Sequence, residues 1–287
     1  MRCLGFLLFL LFAAPFASAQ TPAGGGDKPA EIVVKSDWDR ILGLYQQVHG
    51  GPERLAEMKL ISFDFVPSIF DSEGKEVKSD AQKVEIRFFN TPSIDQGEAG
   101  PSKPIPRAVR VESQVLVDEK KVKTISIVKP GSARVWIENE EGAFEETNIR
   151  ELRLSAANDA NALLSHLDLI LMPDSEELLF RFVGLRKRDG ANYAAVEAEF
   201  IPTRGVFQLY RNYHSSTTSL IERMDIYDPV TKKRIGCTRI SGYEDHGGIK
   251  FPRVFKSYDR NEKPVGTWTL SEVKVNPELT SARFEAP

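Results

Sequence analysis

The amino-acid sequence predicts a mostly β protein, built on one curved antiparallel sheet of about ten or eleven strands with helices on its concave face. Three observations support this fold class. From Leu60 onward, apolar and polar residues alternate with a period of two, which is typical of a sheet with one buried face. Short turn signals, such as Asp189-Gly190 and Asp228-Pro229, separate the alternating segments. Helical spacing of apolar residues is confined to the N-terminal region and one internal segment. These helices are needed, because a sheet with one apolar face must bury that face against another element.

The N-terminus predicts a secretory signal peptide over residues 1–19. Arg2 precedes a short apolar run, Leu4 to Phe12, and Ala17-Ser18-Ala19 is a small-x-small cleavage site. The run is too short to cross a bilayer, which takes about 20 apolar residues. We therefore expect cleavage near Ala19, a flexible leader over residues 20–35, and a periplasmic or secreted mature chain.

Two helices are expected at the start of a single domain that covers residues 36–287. Ser36 and Asp37 are good helix N-caps, and His49-Gly50-Gly51 ends the helix that they begin. Pro52 begins a second, short helix, because the first turn does not need its missing N–H. The strands then begin at Leu60, and a Pro-rich segment, residues 90–106, is expected to be a long loop.

A third helix, Ile149 to Met172, interrupts the strands and is ended by Pro173. It is the most apolar helix of the chain and is expected to lie on the concave face of the sheet. The residues of its apolar stripe are Ala156, Ala160, Leu163, Leu167 and Leu171. Because the stripe begins with alanines, the cover is thin at that end and leaves space for a ligand.

The composition limits the class of partner. The formal net charge is −3, so nothing in it favours a nucleic-acid partner. Cys3 lies in the predicted signal peptide, which leaves Cys237 as the one cysteine of the mature chain and excludes an intramolecular disulfide. An ordinary apolar core must therefore stabilise the domain.

No catalytic or cofactor motif occurs in the sequence, so we expect a non-enzymatic protein without a cofactor. His49 and His246 each precede Gly-Gly, which favours a turn over a metal ligand. His166 is expected at the edge of the third helix, and Cys237 is expected to be a packed thiol. The run Arg186-Lys187-Arg188 fits either a phosphate or lipid headgroup or, more commonly, a solvated hairpin end.

The candidate ligand site is the space between the sheet and the third helix. We predict that large side chains of the strands face this space, where they either line a cavity or fill the core. The candidate lining residues are Phe63, Phe65, Trp136, Ala160, Leu163, Leu167, Leu171, Phe180 and Phe182.

Two stretches resemble a known family. One is the helix end His49-Gly50-Gly51-Pro52-Glu53-Arg54-Leu55 with the long strand after it. The other is the C-terminal run Tyr243 to Pro252, continued by Trp268 to Pro277 and Phe284-Glu285-Ala286-Pro287. They are similar to the periplasmic lipoprotein-carrier superfamily (LolA/LolB-like). The resemblance implies an open half-barrel whose helices close over an apolar concave face, and a cavity that binds acyl chains.

These observations lead to one main hypothesis and two alternatives. The main hypothesis is an exported periplasmic protein that binds a lipid, an acyl chain or another apolar molecule, with a role in lipoprotein or lipid transfer to the outer membrane and a membrane-associated partner protein. The first alternative is a structural or partner-binding module with a filled core. The second is a hydrolase that uses the same cavity, against which the lack of a nucleophile–base pair counts.

Overall fold

The computed structural model describes residues 35–91, 103–117, 120–129, 131–171, 178–200, 209–278 and 281–287. The predicted signal peptide and residues 20–34 of the predicted leader lie outside these ranges, as does the middle of the Pro-rich segment. Both ends of that segment are strands, contrary to the predicted loop. Among the described strands, Pro104 and Pro106 pair with the preceding strand alone, and proline is tolerated where no second neighbour needs its N–H.

The described residues form three α-helices, a short 3₁₀ helix and sixteen strands. The helices are α1 (Lys35–Val48), α2 (Pro52–Ala56) and α3 (Arg150–Leu171), and the 3₁₀ helix spans Ser281–Phe284. The strands are β1 (Leu60–Phe70), β2 (Glu76–Lys78), β3 (Gln82–Thr91), β4 (Lys103–Val117), β5 (Lys120–Lys129), β6 (Ser132–Glu138), β7 (Phe144–Thr147), β8 (Leu178–Arg188), β9 (Ala191–Phe200), β10 (Leu209–Ser215), β11 (Ile221–Tyr227), β12 (Arg234–Ser241), β13 (Glu244–His246), β14 (Ile249–Phe251), β15 (Val254–Asp259) and β16 (Pro264–Val275).

Fourteen of these strands form one antiparallel sheet in the order β7-β6-β5-β4-β3-β1-β16-β15-β12-β11-β10-β9-β8, with β2 added beside β1. The predicted mostly β class and the open, curved antiparallel sheet are confirmed. The predicted number of strands was too low. Strands β2, β7, β13 and β14 have only three or four residues each, which is too short for an alternating pattern to appear.

The topology places α3 across the sheet. The helix follows edge strand β7 and precedes edge strand β8, so the chain passes over one face of the sheet between its two edges. That face carries the main apolar core, and we call it the concave face. Phe63 and Phe65 of β1 lie in this core with Leu163 and Leu167 of α3, and Tyr45 of α1 belongs to the same cluster.

The opposite, convex face has smaller apolar clusters and ion pairs. Leu60 and Ala108 pack there against Phe284 of the C-terminal 3₁₀ helix. Next to this cluster, the fully buried carboxylate of Glu85 accepts hydrogen bonds from Arg283 at 3.1 and 3.2 Å. The C-terminus is thereby fixed to the sheet.

Trp136 also lies on the convex face. Its neighbour in β6, Val135, is part of the concave core, and successive side chains of a strand point to opposite faces. Trp136 packs instead with Ile125, Ile127 and Phe144. It therefore does not line the space beneath α3, contrary to the assignment made from the sequence. The alternation of Val135 with its neighbours already implied this orientation.

The stretches that carry the family resemblance contact one another where separate elements of the fold meet. Gly50 has a φ of 92°, as the predicted helix end requires, and a Cβ on it would clash with the carbonyl oxygen of Gly248. The two Gly-Gly turns are therefore in direct contact. Asn276 accepts hydrogen bonds from the backbone N–H groups of Lys59 and Leu60 at 2.7 and 3.1 Å and joins β16 to the start of β1.

Candidate functional site

A cavity of about 30 Å³ lies between α3 and the concave face. Its floor is formed by strands β1, β3, β4 and β5, and its roof by one side of α3. The residues that line it are Phe65, Gln82, Val84, Val111, Ser113, Ser126, Ala156, Asp159, Ala160 and Leu163. The cavity lies at the alanine-rich end of the helix stripe, where the sequence analysis expected the cover to be thin.

The structure brings most of the other candidate residues to the concave face. Ala160, Leu163 and Leu167 of α3 and Phe63 and Phe65 of β1 are buried in one apolar cluster. Of these five, Ala160, Leu163 and Phe65 touch the cavity, and the other two lie in the packed core around it.

The remaining candidates lie on the β8 side of the molecule and at the end of α3. Phe182 is half-buried, and it pairs with Val196 across β8 and β9. Phe180 pairs with Ala198 in the same hairpin, and Leu171 is the last residue of α3. The side chains of Phe180 and Leu171 lie outside the described residues, so their part in a site stays a prediction.

Sequence reasoning missed Asp159. This residue follows Ala156 by three positions and precedes Leu163 by four, so it lies on the same side of α3 as the apolar stripe. Burial raises the pKa of its carboxyl group to about 7, and a hydrogen bond from Ser155 opposes this effect. An acidic residue within an apolar stripe was the signal that could have identified it.

The second half of α3 packs over the middle of the sheet. His166 is buried, and its ring lies 4.9 Å from that of Trp268 and 6.4 Å from that of Tyr210, in edge-on geometry. The predicted position at the edge of the helix is therefore corrected to a buried one. These aromatic contacts hold the helix against β16 and β10, well away from its alanine-rich end.

A second buried polar group lies beneath α1. His49 is fully buried with its ring 4.5 Å from that of Tyr45, and His214 lies 5.1 Å from Tyr45 on the other side. Burial lowers the pKa of both histidines to about 4, so both are neutral at pH 7. Among the residues that the structure describes, no group of three or more His, Cys, Asp or Glu side chains could hold a metal ion.

Cys237 is buried on β12, and its thiol lies 3.7 Å from a carboxylate oxygen of Glu262. Burial raises the pKa of this thiol to about 11. The thiol is therefore protonated at pH 7, as expected for a packed cysteine, and is a poor nucleophile in that state.

Comparisons with known proteins concern the fold. No protein-family model matches the sequence, and no curated protein sequence matches it. The structure is similar to that of a DUF1329 family protein from Desulfovibrio piger, with 16% identity and a TM-score of 0.51 over 88% of this chain and 97% of that one. It also matches a LolA superfamily protein from Nitrosomonas europaea, with 11% identity and a TM-score of 0.49 over 86% of this chain and 96% of that one.

None of the helices in the described ranges has the length and apolar character that a membrane span requires. The described architecture is an open antiparallel sheet whose concave face is covered by helices, as the sequence motifs implied. Together with the likeness to the DUF1329 protein, this architecture shows that the chain has a LolA/LolB-like fold.

Proposed function

We propose that this chain is a binding protein that holds a lipid or another ligand with an acyl chain between α3 and the concave face of the sheet. The observation that carries the proposal is the cavity at the alanine-rich end of α3. Its walls are mainly apolar, and it lies between a helix and a sheet. Apolar clefts with a few polar groups are the usual form of small-ligand sites.

The size of the cavity defines what binding requires. A volume of about 30 Å³ is enough for one or two water molecules and too small for an acyl chain. The first half of α3 must therefore move away from β5 and β6 when the ligand enters. At the cavity this half contributes Ala156 and Ala160, which bury less apolar surface than a leucine, while Leu152 and the hydrogen bonds of Arg153 hold its first turn.

The energetics favour such an exchange. Each buried CH₂ group contributes roughly 0.8 kcal/mol, so an acyl chain of a dozen or so carbons can offset the lost contacts of Leu152, Ala156 and Ala160 and the cost of ordering the ligand. The rings around His166 keep the second half of α3 on the sheet while the first half opens. We therefore expect a hinged displacement of the helix rather than its release.

The role that follows is the reversible holding of a lipid or of the acyl chain of a lipoprotein, in an exported protein that delivers its ligand to a membrane-associated partner. The chemistry of the site supports binding rather than catalysis. Asp159 is the ionisable residue of the described lining, and the residues that accompany it there are a glutamine, two serines and apolar side chains.

The test is a titration of delipidated protein with a fluorescent fatty acid, together with native mass spectrometry of gently purified protein. We expect saturable binding and a co-purified lipid. Ala160→Leu places extra atoms in the cavity and should weaken binding roughly tenfold, which corresponds to about 1.4 kcal/mol. Ala157→Leu is the matched control, because Ala157 lies on the same helix but does not line the cavity.

Two outcomes would contradict parts of the proposal. If no lipid co-purifies and no saturable binding occurs, the chain is better described as a structural or partner-binding module with a filled core. If binding occurs but both variants bind equally well, the ligand lies elsewhere. A bulkier substitution, Ala160→Phe, should abolish binding if the folded state tolerates it, and circular dichroism checks that condition.

A further inference from the structure

The convex face carries a cleft that the proposed function does not use. It has a volume of about 650 Å³, which is in the range of small-ligand sites, and it lies on the face opposite to α3. Strands β11, β12 and β15 form its floor, and the β8–β9 turn forms one side. Four cationic side chains line it: Arg188, Arg223, Arg239 and Lys256.

Three of these cations form a row across neighbouring strands. In the register of the strands, Arg223 of β11 lies directly opposite Arg239 of β12, and Arg239 lies directly opposite Lys256 of β15. Strands lie about 4.8 Å apart, so the row is roughly 10 Å long. Like charges in directly opposite positions destabilise a sheet. A row of three like charges therefore lowers the stability of the folded protein locally. Arrangements that lower stability in this way are concentrated at functional sites.

Carboxylates neutralise the Arg223 end of the row most strongly. Arg223 donates to Asp225 and to Glu262, both at 2.7 Å, and Arg188 donates to Asp225 at 2.9 Å. Burial works against the charge of Arg223, but these hydrogen bonds outweigh it and raise its pKa. Arg223 is therefore held in place and stays positively charged at the bottom of the cleft.

The other end of the row remains available for a ligand. Arg239 is about half exposed (48%), and its guanidinium stacks 5.0 Å from the ring centroid of Tyr258, which orients it. Its contacts with Glu262 and Asp189 are long, at 3.5 and 3.7 Å. Lys256 is exposed and forms no ion pair with any residue in the described part of the chain.

The charges of the whole region leave an excess of cations. The cleft is lined by four cationic side chains and by the carboxylates of Asp189 and Glu222. The ion pairs of the lining extend to Asp225, Glu262 and Arg234, so five cations and four carboxylates lie in this region. The full sequence, in contrast, carries a formal net charge of −3. The positive charge of the cleft is therefore local, because the protein as a whole carries a net negative charge.

From this row and its cleft we propose that the convex face binds a ligand that carries a phosphate group. A phosphate has several strong acceptor oxygens and matches the fork of a guanidinium, while a lysine ammonium adds a second point of attraction. Arg239 and Lys256 hold the phosphate, and the tyrosines of the lining offer apolar surface to the rest of the ligand. The chemistry is the same for a free phosphate ester and for a phospholipid headgroup.

The experiment titrates the protein with inorganic phosphate by calorimetry and, separately, measures co-sedimentation with vesicles. The vesicles contain equal parts of phosphatidylcholine and phosphatidylglycerol; vesicles of phosphatidylcholine alone, in which choline neutralises the charge of the phosphate, are the control. Lys256→Ala and Arg239→Ala should each weaken binding roughly tenfold, which corresponds to about 1.4 kcal/mol, because each removes a charge-assisted hydrogen bond to the phosphate. Lys274→Ala should have no effect, because Lys274 is also exposed on a strand of the convex face but does not line the cleft.

Each outcome decides one point. Phosphate binding that is weakened in Lys256→Ala supports the proposal and identifies a free phosphate as sufficient. Binding to the mixed vesicles alone, with the same pattern of variants, supports it and identifies a lipid headgroup. Absence of both, or an equal loss in Lys274→Ala, overturns it. The result is independent of the fatty-acid titration, because the two sites lie on opposite faces of the sheet.

Discussion

Replacing Asp159 with asparagine should stabilise the protein above pH 7 and leave its stability almost unchanged near pH 4. Asp159 lies at the cavity beneath α3, and burial raises its pKa to about 7 from an ordinary value of 3.8. The folded protein therefore binds a proton at this carboxyl more tightly than the unfolded chain does. The free energy of unfolding falls as the pH rises from about 4 to about 7, and it stays at the lower level above pH 7.

The size of the effect follows from the two pKa values. One pH unit between the folded and unfolded pKa corresponds to about 1.36 kcal/mol, so charging Asp159 in the folded protein costs on the order of 4 kcal/mol. Solvent at the rim of the site and the loss of the hydrogen bond from Ser155 reduce the gain. We therefore expect Asp159→Asn to raise the free energy of unfolding by about 2–4 kcal/mol at pH 8.

Urea denaturation at pH 8 and pH 4 measures this difference. Stability also changes with pH through His49 and His214, whose lowered pKa values remove stability as the pH falls from about 6.5 to about 4. That contribution is the same in both proteins and cancels in the comparison. Glu151→Gln, in the exposed first turn of α3, is the control and should bring no gain. A destabilised Asp159→Asn at pH 8, or a gain that does not depend on pH, would refute the reasoning.

Three further predictions concern other parts of the chain. Cys237→Ala should change the free energy of unfolding by about 1 kcal/mol in a denaturant titration, because Cys237 is a packed, unbridged thiol; complete loss of folded protein would contradict this. Asn276→Ala should cost about 2–3 kcal/mol by the same measurement, since it removes three hydrogen bonds to backbone groups, whereas Asn276→Asp keeps two acceptor bonds and should cost less. Intact-mass measurement of protein purified from its native host should find a chain that begins near Gln20, and retention of the apolar run before Ala19 would refute cleavage there.

The sequence was sufficient for the class of the fold and for the long helix. The predicted helix Ile149 to Met172 differs from the observed Arg150–Leu171 by one residue at each end. Its position on the concave face was also predictable, because an apolar stripe on a helix and an apolar face on a sheet bury each other. The cavity lies at the alanines where the stripe is thinnest, and that was predictable from side-chain size alone.

The buried charges of the convex face were not predictable in the same way. The alternation of apolar and polar residues in the sequence indicates which side chains lie on the polar face of the sheet. Side chains on that face are expected to be exposed to solvent. Glu85, Arg110 and Asp225 are nevertheless almost completely buried. Their burial depends on ion pairs between strands and with the C-terminus, and such pairs are set by the register of strands that are distant in sequence. Arg223 and Lys256 became neighbours of Arg239 only through that register.

The family resemblance and the two candidate sites depend largely on different residues, although Phe65 and Tyr243 belong to both. The motifs that resemble the LolA/LolB-like superfamily hold the helices and the C-terminus on the sheet, through the contact of Gly50 with Gly248 and through the hydrogen bonds of Asn276. None of these three residues lines the cavity or the cleft. Under the two proposals a chain can keep the fold while the ligand changes, because residues such as Asp159 and Lys256 line the two sites but are not the ones that hold the motifs together. The titrations of the Ala160 and Lys256 variants test these two faces separately.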